Sequence, residues 1–241
     1  MRKVLWKRWK VAAAGLLLSA AALSIFAEAA QKKIPAGSIF VPDKGKLNVL
    51  LDGKSVGHEE FEIAPAGSGW TARGTTTLKP PGGNASSVTG TLTLEPHGAP
   101  ISYEWSSQAE KTNGAHIQFE NGVARISLQM QGARAAFNQD LTFGSPLIIV
   151  LDNNLYHQYA LLARIYDWSR RGTQTFSVLI PQDLAPGTIS VDQTGAVSAD
   201  GKTYEGLKIV TSDLTVILYL DSSHRLMRLD VPDAKVAVVR E

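Results

Sequence analysis

Apolar and polar residues alternate along most of this 241-residue chain, in short segments separated by Gly, Pro, Asn and Asp. Alternation with a period of two is typical of strands that bury one face, and the separating residues are typical of tight turns. The first alternating segment follows Pro42-Asp43-Lys44-Gly45, and Asp52-Gly53 indicates a turn into a second strand. In that strand the apolar residues switch from an even-numbered position to odd-numbered positions, which predicts a β-bulge near Gly57. The pattern therefore predicts a mainly β protein.

The segment 115–131 predicts a hairpin with a defined register. A two-residue turn at Asn121-Gly122 pairs Glu120 with Val123. The next pairs on the same face are then apolar: Phe119 with Ala124, Ile117 with Ile126, and Ala115 with Leu128. Because turn chemistry and apolar pattern give one register, we expect this hairpin to bury one face and to expose the other.

One segment departs from the period of two and predicts a helix. Asp152-Asn153-Asn154 offers helix caps, the pattern over 155–169 is helical, and Gly172 would end it. The predicted helix is apolar over most of its circumference, so we expect it to be buried on more than one side. The expected fold is a single strongly curved antiparallel sheet, a half-barrel meander, packed on this one principal helix.

Two later features refine this expected sheet. Gly195 predicts a turn between short strands over 188–192 and 196–199. The segment Leu214–Leu220 is apolar on both faces, so we expect it to lie centrally in the sheet and to be a candidate for the strand beneath the helix.

The first 29 residues are typical of a secretory signal peptide. Residues 1–10 carry five cations and no acid, an uncharged stretch follows, and Ala27-Glu28-Ala29 is a small-x-small cleavage motif before Ala30. We therefore expect export to the periplasm or secretion, with no transmembrane span after cleavage. An uncleaved anchor is the alternative, but the apolar stretch is short for a membrane span and no basic stop-transfer run follows it.

The expected organisation is a signal peptide over 1–29, a leader over 30–45 and one β half-barrel domain over 46–241. Cleavage would also change the charge. The whole chain has 24 Lys and Arg against 22 Asp and Glu, and loss of five bases and one acid leaves 19 against 21. The pairs Lys32-Lys33 and Arg170-Arg171 do not form a basic stripe, so nucleic-acid binding is not expected.

The sequence also excludes several kinds of site. It has no cysteine, which removes thiol nucleophiles, disulfides, thiolate metal sites and a lipidated cysteine. It has no Walker loop, Gly-x-Gly-x-x-Gly motif or Gly-x-Ser-x-Gly elbow. Its five histidines form no His-x-His or His-Glu-x-x-His pair. We therefore expect no metal site and no cofactor.

His157 is the candidate for acid–base chemistry, with Asp152 before it and Arg164 two turns along the predicted helix. Asp152 could orient the imidazole, although Asp152 or Asn154 would also serve as a helix cap. A histidine on the polar side of a helix commonly meets water, so a structural role is favoured over catalysis. The group His58-Glu59-Glu60 is interpreted as structural too, because neighbouring side chains of a strand point to opposite faces.

The candidate ligand-binding residues are apolar and aromatic side chains of one strand and of the predicted helix. Amphipathic rings combine a large contact area with a polar group, which suits an apolar ligand cavity, although the same residues would also serve as core. The set is Tyr103, Trp105, Leu155, Tyr159, Leu162, Tyr166 and Trp168.

The order of these features resembles a known kind of protein. It consists of an opening Leu51–Gly57, a long meander, a central Leu151–Tyr159 and a closing Asp221–Pro232. It is similar to uncharacterised bacterial envelope proteins of the domain-of-unknown-function type, whose curved sheet resembles the half-barrel of the lipoprotein-carrier (Lol) and VioE folds. Carriers of this shape shelter acyl chains in the concave face, so the resemblance implies a lipid-like ligand.

Three functions are open at this point. The leading hypothesis is an exported envelope protein that binds an apolar or amphiphilic ligand in the concave face of the sheet. The second is a structural or partner-binding module whose core is filled. The third is a cofactor-free enzyme that uses His157 and Asp152.

The signal-peptide hypothesis predicts a mature chain that begins at Ala30. N-terminal sequencing of the protein purified from its own envelope measures this directly. Replacement of the small residue before the cleavage site, Ala29→Trp, should make the precursor accumulate, because signal peptidase accepts small residues there. A full-length chain that starts at Met1 and pellets with membranes would contradict the hypothesis and support the uncleaved anchor.

Overall fold

The computed structural model describes residues 33–108, 112–182, 184–211 and 214–241. The predicted signal peptide lies outside the described residues. Within them, the chain forms fifteen strands, one α-helix and a short 3-10 helix over Pro232–Ala234. None of the helices in these ranges is long and apolar enough to cross a membrane.

The strands are numbered in chain order, and the helix α1 covers His157–Ile165, between β9 and β10. The strands are β1 Asp43–Leu51, β2 Lys54–Ala66, β3 Gly69–Leu78, β4 Ser86–Leu94, β5 Pro100–Gln108, β6 Thr112–Glu120, β7 Val123–Met130, β8 Phe137–Thr142, β9 Ile148–Val150, β10 Gln174–Ile180, β11 Ala185–Ala199, β12 Lys202–Val210, β13 Thr215–Leu220, β14 Leu226–Val231 and β15 Val236–Arg240.

All fifteen strands belong to one sheet, in the order β8-β7-β6-β5-β4-β3-β2-β1-β15-β14-β13-β12-β11-β10-β9. Strands that follow each other along the chain are neighbours, apart from β8 and β9 at the two edges, and β1 pairs with β15. The pairing is antiparallel except between β9 and β10, which are parallel. The prediction of a mainly β fold with one sheet and one principal helix is confirmed.

The sheet curls until its two edges approach each other. Only residues 143–147 connect the edge strands β8 and β9, and six residue steps span at most about 20 Å. The side-chain amide of Gln139 in β8 also donates to the carbonyl oxygen of Leu184, just before β11, at 3.4 Å. Helix α1 contacts both β3 and β14, which three other strands separate, so it lies on the concave face.

The local predictions for the first half of the sheet are confirmed. The hairpin of β6 and β7 pairs Phe119 with Ala124 and Ile117 with Ile126, in the predicted register. Between β1 and β2 the register shifts next to Gly57, because Val56 has no partner in β1. A Cβ at Gly57 would lie 2.0 Å from the carbonyl oxygen of Thr77, so the bulge brings two backbones into close contact.

The helix is shorter than the predicted 155–169, because α1 covers only His157–Ile165. The backbone of Tyr166 has ψ 128°, which ends the helix. Trp168 then donates its indole N–H to the carbonyl oxygen of Ala163 at 3.0 Å, so the chain folds back. The apolar pattern continues past the helix because Tyr166 and Trp168 still pack against the core.

The predicted turn at Gly195 is wrong. Residues 185–199 form the single strand β11, and the register shifts between Gln193 and Gly195. Gly195 has φ 75°, a conformation that glycine adopts without steric cost, so it forms a β-bulge inside one long strand.

Packing also begins inside the predicted 30–45 leader. Strand β1 starts at Asp43, and the buried ring of Phe40 lies against Trp70 with ring centroids 5.8 Å apart. The backbone N–H of Ile39 donates to the carbonyl oxygen of Pro96 at 3.1 Å. The last residues of this segment are therefore part of the fold.

Strand β13 lies inside the sheet as predicted, but only one of its apolar faces is fully buried. Val216 and every second residue after it in β13 are buried on the concave face. Ile217 and Tyr219 are half-buried on the other face. Tyr219 is partly covered there by Tyr204, with ring centroids 6.0 Å apart. The second apolar face is therefore covered by neighbouring strands rather than by the helix.

Candidate functional site

Two glycines make room for the start of the helix against the sheet. Gly74 of β3 and Gly90 of β4 are direct partners in the ladder. A Cβ at Gly74 would lie 2.5 Å from Nδ1 of His157 and 2.6 Å from Oε1 of Glu59. A Cβ at Gly90 would lie 2.7 Å from the hydroxyl oxygen of Tyr103. Side chains at these two positions would therefore displace the polar groups beside the helix start.

Glu59 of β2 binds the N-terminus of α1. Its Oε2 accepts the backbone N–H groups of Tyr156 at 2.8 Å and of His157 at 3.1 Å. Its Oε1 lies 2.5 Å from Nδ1 of His157, and both side chains are fully buried. The helix has no local side-chain cap, so the capping expected from Asp152 or Asn154 is supplied by a distant strand instead.

The imidazole of His157 contacts an aromatic ring as well as the carboxylate of Glu59. Phe61 stacks on it with ring centroids 5.9 Å apart and an angle of 12° between the ring planes. Its Nε2 is buried and has no hydrogen-bond partner among the described residues. Glu59, and not Asp152, therefore orients this ring, and the tautomer with hydrogen on Nδ1 matches the contact with the carboxylate.

The sequence pattern contains a signal for the burial of Glu59 within His58-Glu59-Glu60. Glu59 has the same strand parity as Phe61 and Ile63, which are buried on the concave face. His58 and Glu60 have the opposite parity and are half-buried and exposed. The alternation that separates the three side chains thus places this carboxylate alone in the interior.

Asp152 is a second buried carboxylate near the helix start. Its Oδ2 accepts the hydroxyl of Tyr103 and its Oδ1 accepts the side-chain amide of Gln182, each at 2.5 Å. The backbone N–H of Asp152 donates to the side chain of Gln158, also at 2.5 Å. Burial raises the pKa of Asp152 from 3.8 to about 6. Burial, with the charge of Asp152, also raises the pKa of Tyr103.

Arg164 belongs to a different group of charges. Burial lowers its pKa, and the charges that act on it are those of Asp43, Asp221 and Arg225. Asp43 in turn pairs with Arg240 at 2.5 Å. The structure therefore does not bring Arg164 together with His157 and Asp152, as the acid–base hypothesis had grouped them.

A pocket of about 580 Å³ opens on the concave face beside the helix. Asp152 lines it, as does Tyr159, whose pKa burial raises to about 12. The other described lining residues come from the chain before Asn154 and from β10 to β13 and their connections: Leu151, Asn153, Val178, Ile180, Pro186, Gly187, Thr188, Ile189, Thr211, Leu214 and Val216. The volume falls within the usual range of small-molecule sites.

The predicted ligand-binding residues divide into two groups. Tyr159 lines the pocket. The other six are absent from its described lining: Tyr103, Leu155, Leu162 and Tyr166 are buried in the core, and Trp105 and Trp168 are partly buried against it. A ligand contact for these six stays a prediction. The pocket walls from β10 and β11 had no signal in the sequence beyond ordinary strand alternation.

The described residues form a second hollow but no cluster suited to a metal ion. This hollow has a volume of about 600 Å³ and is lined by residues that include Ile101, Phe119 and Pro146, and it contains none of the predicted site residues. In the ranges that the structure describes, no group of three or more His, Asp or Glu side chains is placed to hold a metal ion.

Comparisons with known proteins concern the fold. No family model and no curated protein matches the sequence. A beta-barrel-like protein of the domain of unknown function DUF1849 from Brucella abortus matches with a TM-score of 0.54 and 11% identity, over 83% of this chain and 95% of that one. This chain has a similar, beta-barrel-like fold. A DUF1089 family protein from Pseudomonas aeruginosa matches with a TM-score of 0.48 and 11% identity, over 75% and 91%.

The buried contact between Glu59 and the helix predicts a large effect of Glu59→Gln. The amide keeps the shape but removes the charge from beside His157 and the helix N-terminus. We expect the free energy of unfolding to fall by about 3 kcal/mol, because an amide cannot replace a buried carboxylate that accepts three hydrogen bonds without leaving a donor unsatisfied. Urea denaturation measures this. The adjacent Glu60→Gln, on the outer face, is the matched control, and equal effects of the two variants would contradict the assignment.

The raised pKa of Asp152 predicts how stability depends on pH. Because the folded-state pKa of about 6 lies above the ordinary 3.8, the folded state holds this proton more tightly than the unfolded state. The resulting stability is present below pH 4 and is lost as pH rises through 6. Relative to Asp152→Asn, the wild type should lose roughly 3 kcal/mol between pH 3.5 and 7.5.

Urea denaturation of both proteins across this pH range provides the measurement. The control is Asp140→Asn on β8, an exposed position, which should run parallel to the wild type. Parallel curves for the wild type and Asp152→Asn would show that burial does not raise this pKa.

Proposed function

We propose that this protein is an exported bacterial envelope protein that binds an apolar or amphiphilic, lipid-like ligand in the concave face of its curled sheet. The observation that carries the proposal is the pocket of about 580 Å³ between the helix and β10 to β13. Its walls expose polar and apolar surface in nearly equal amounts, and Asp152 and Asn153 are among the polar lining residues. Such a mixed lining suits a ligand that has both an apolar part and a polar part, since binding sites combine apolar walls with placed polar groups.

The pocket occupies the part of the concave face that the helix leaves open. Side chains from three strands form one wall, with Val178, Ile189 and Val216 buried on the core side of the sheet. Tyr159 from α1 also lines the cavity. An extended apolar group would thus contact side chains from both the sheet and the helix, as an acyl chain does in the half-barrel carriers of the Lol type that the sequence resembles.

Export is supported by the sequence of residues 1–29, with its basic start, uncharged stretch and small-x-small motif. Export would bring the chain to the periplasm or to the outside of the cell. In such a compartment the protein would meet membrane lipids and their breakdown products.

The alternatives are less supported by the observed geometry. An enzyme that acts through His157 would need this ring at the pocket, but it is fully buried against Glu59 and is not among the described lining residues. A structural module with a filled core agrees with the burial of Leu155 and Leu162, and it would leave the pocket without a ligand.

The proposal predicts that filling the pocket abolishes the uptake of an apolar probe. Val216→Phe adds a ring on the pocket side of β13, whereas Ile217→Phe adds the same group on the opposite face of the same strand. Titration with the neutral fluorophore N-phenyl-1-naphthylamine should give saturable binding to the wild type and to Ile217→Phe. Binding to Val216→Phe should be at least tenfold weaker, because the ring occupies the space of the probe.

Circular dichroism shows whether both variants are folded. Native mass spectrometry of protein taken from its own envelope then tests for a bound lipid. A protein that carries no ligand and does not bind the probe would overturn the proposal and favour the structural module.

A further inference from the structure

The polar part of the pocket has one sign of charge. Asp152 is the carboxylate in the described lining, with Asn153, Thr188 and Thr211 as uncharged polar neighbours. None of the described residues that line the pocket is Lys, Arg or His. A negatively charged ligand group would find no cation there to offset the cost of leaving water.

Asp152 can still accept hydrogen bonds. An ionised carboxylate has about four acceptor positions. The protein supplies one donor to each oxygen, from Tyr103 and Gln182. The remaining positions suit a donor from a ligand, and a cationic donor makes the stronger bond because both partners are charged.

The other buried carboxylate does not compete for this role. Glu59 already accepts two backbone N–H groups of the helix and contacts His157, and it is not among the described lining residues of the pocket. The pKa of Asp152 is raised because burial outweighs the lowering effects of the hydrogen bonds from Tyr103 and Gln182 and of nearby His157. A positively charged group bound in the pocket would add a cationic partner on a side where no described lining residue is Lys, Arg or His.

We infer that the ligand is a long-chain amphiphile with a hydrogen-bond-donating, non-anionic head group, for which a primary amine is the best match, and that Asp152 binds this head group. The inference rests on the proposed function and adds the chemical class of the ligand. It sets this pocket apart from a fatty-acid site, in which a basic side chain would receive the carboxylate.

Competition with N-phenyl-1-naphthylamine tests this inference with three ligands that share one chain: dodecylamine, dodecanol and dodecanoate. Each is titrated at pH 7.5 below its critical micelle concentration. In the wild type, dodecylamine should displace the probe at a concentration at least tenfold lower than dodecanoate, with dodecanol between them. A tenfold ratio corresponds to about 1.4 kcal/mol, within the range of one charge-assisted hydrogen bond.

Asp152→Asn removes the charge and keeps the shape. This variant should bind dodecylamine about tenfold more weakly than the wild type and dodecanol within threefold of it. Asp140→Asn, which removes the same charge from the exposed face of β8, should behave as the wild type with all three ligands. This control separates the pocket carboxylate from a general attraction of amines to an acidic protein.

The outcomes separate the inference from the proposed function. If the neutral probe itself does not bind, the proposed function fails. If the probe binds but dodecanoate competes as well as dodecylamine, the pocket exists and the assignment of the head group is wrong. An amine preference that persists unchanged in Asp152→Asn also overturns the role of Asp152.

Discussion

The position of the helix depends on one interaction, the binding of its first N–H groups by a carboxylate that lies 97 residues earlier in the chain. Glu59 replaces the local cap that helices usually have, and it ties α1 to the middle of β2. Gly74 provides the space for this contact, and the hydroxyl of Thr76 donates to the carbonyl oxygen of Asn154 at 2.5 Å. The turn before the helix is thus held by a hydrogen bond to the sheet. This turn also contains Asp152, which lines the pocket.

The two buried carboxylates differ in their hydrogen-bond partners. This difference favours a structural role for Glu59 and a ligand-binding role for Asp152. Glu59 has the helix N-terminus and an imidazole as partners, so its charge is well compensated. Asp152 has two uncharged donors, Tyr103 and Gln182, and burial raises its pKa to about 6. Charged groups in protein interiors are costly unless they are paired. The better-paired carboxylate lies at the helix N-terminus, and the less well-paired one belongs to a residue that lines the cavity.

The features that were predictable from the sequence depend on neighbours along the chain. The register between Phe119 and Ala124 follows from a two-residue turn, and the bulge at Gly57 follows from a change of parity. Alternation places Glu59 in the interior, but it does not show that this carboxylate caps a helix 97 residues later. The end of the helix at Tyr166 is hidden because apolar residues that pack against the core continue past it. The pocket depends on distant segments instead, because the curl of the sheet brings Asp152 and Val216 together.

The pairing of β1 with β15 has a consequence for the order in which the chain folds. The ladders from β1 to β8 and from β10 to β15 join consecutive strands, so each block can form by successive hairpins with short loops to close. The β1–β15 ladder joins residues nearly two hundred positions apart, such as Leu47 and Arg240. Closing so long a loop is entropically unfavourable until both blocks exist. We therefore expect the union of two preformed half-sheets, rather than the growth of either one, to limit the rate of folding.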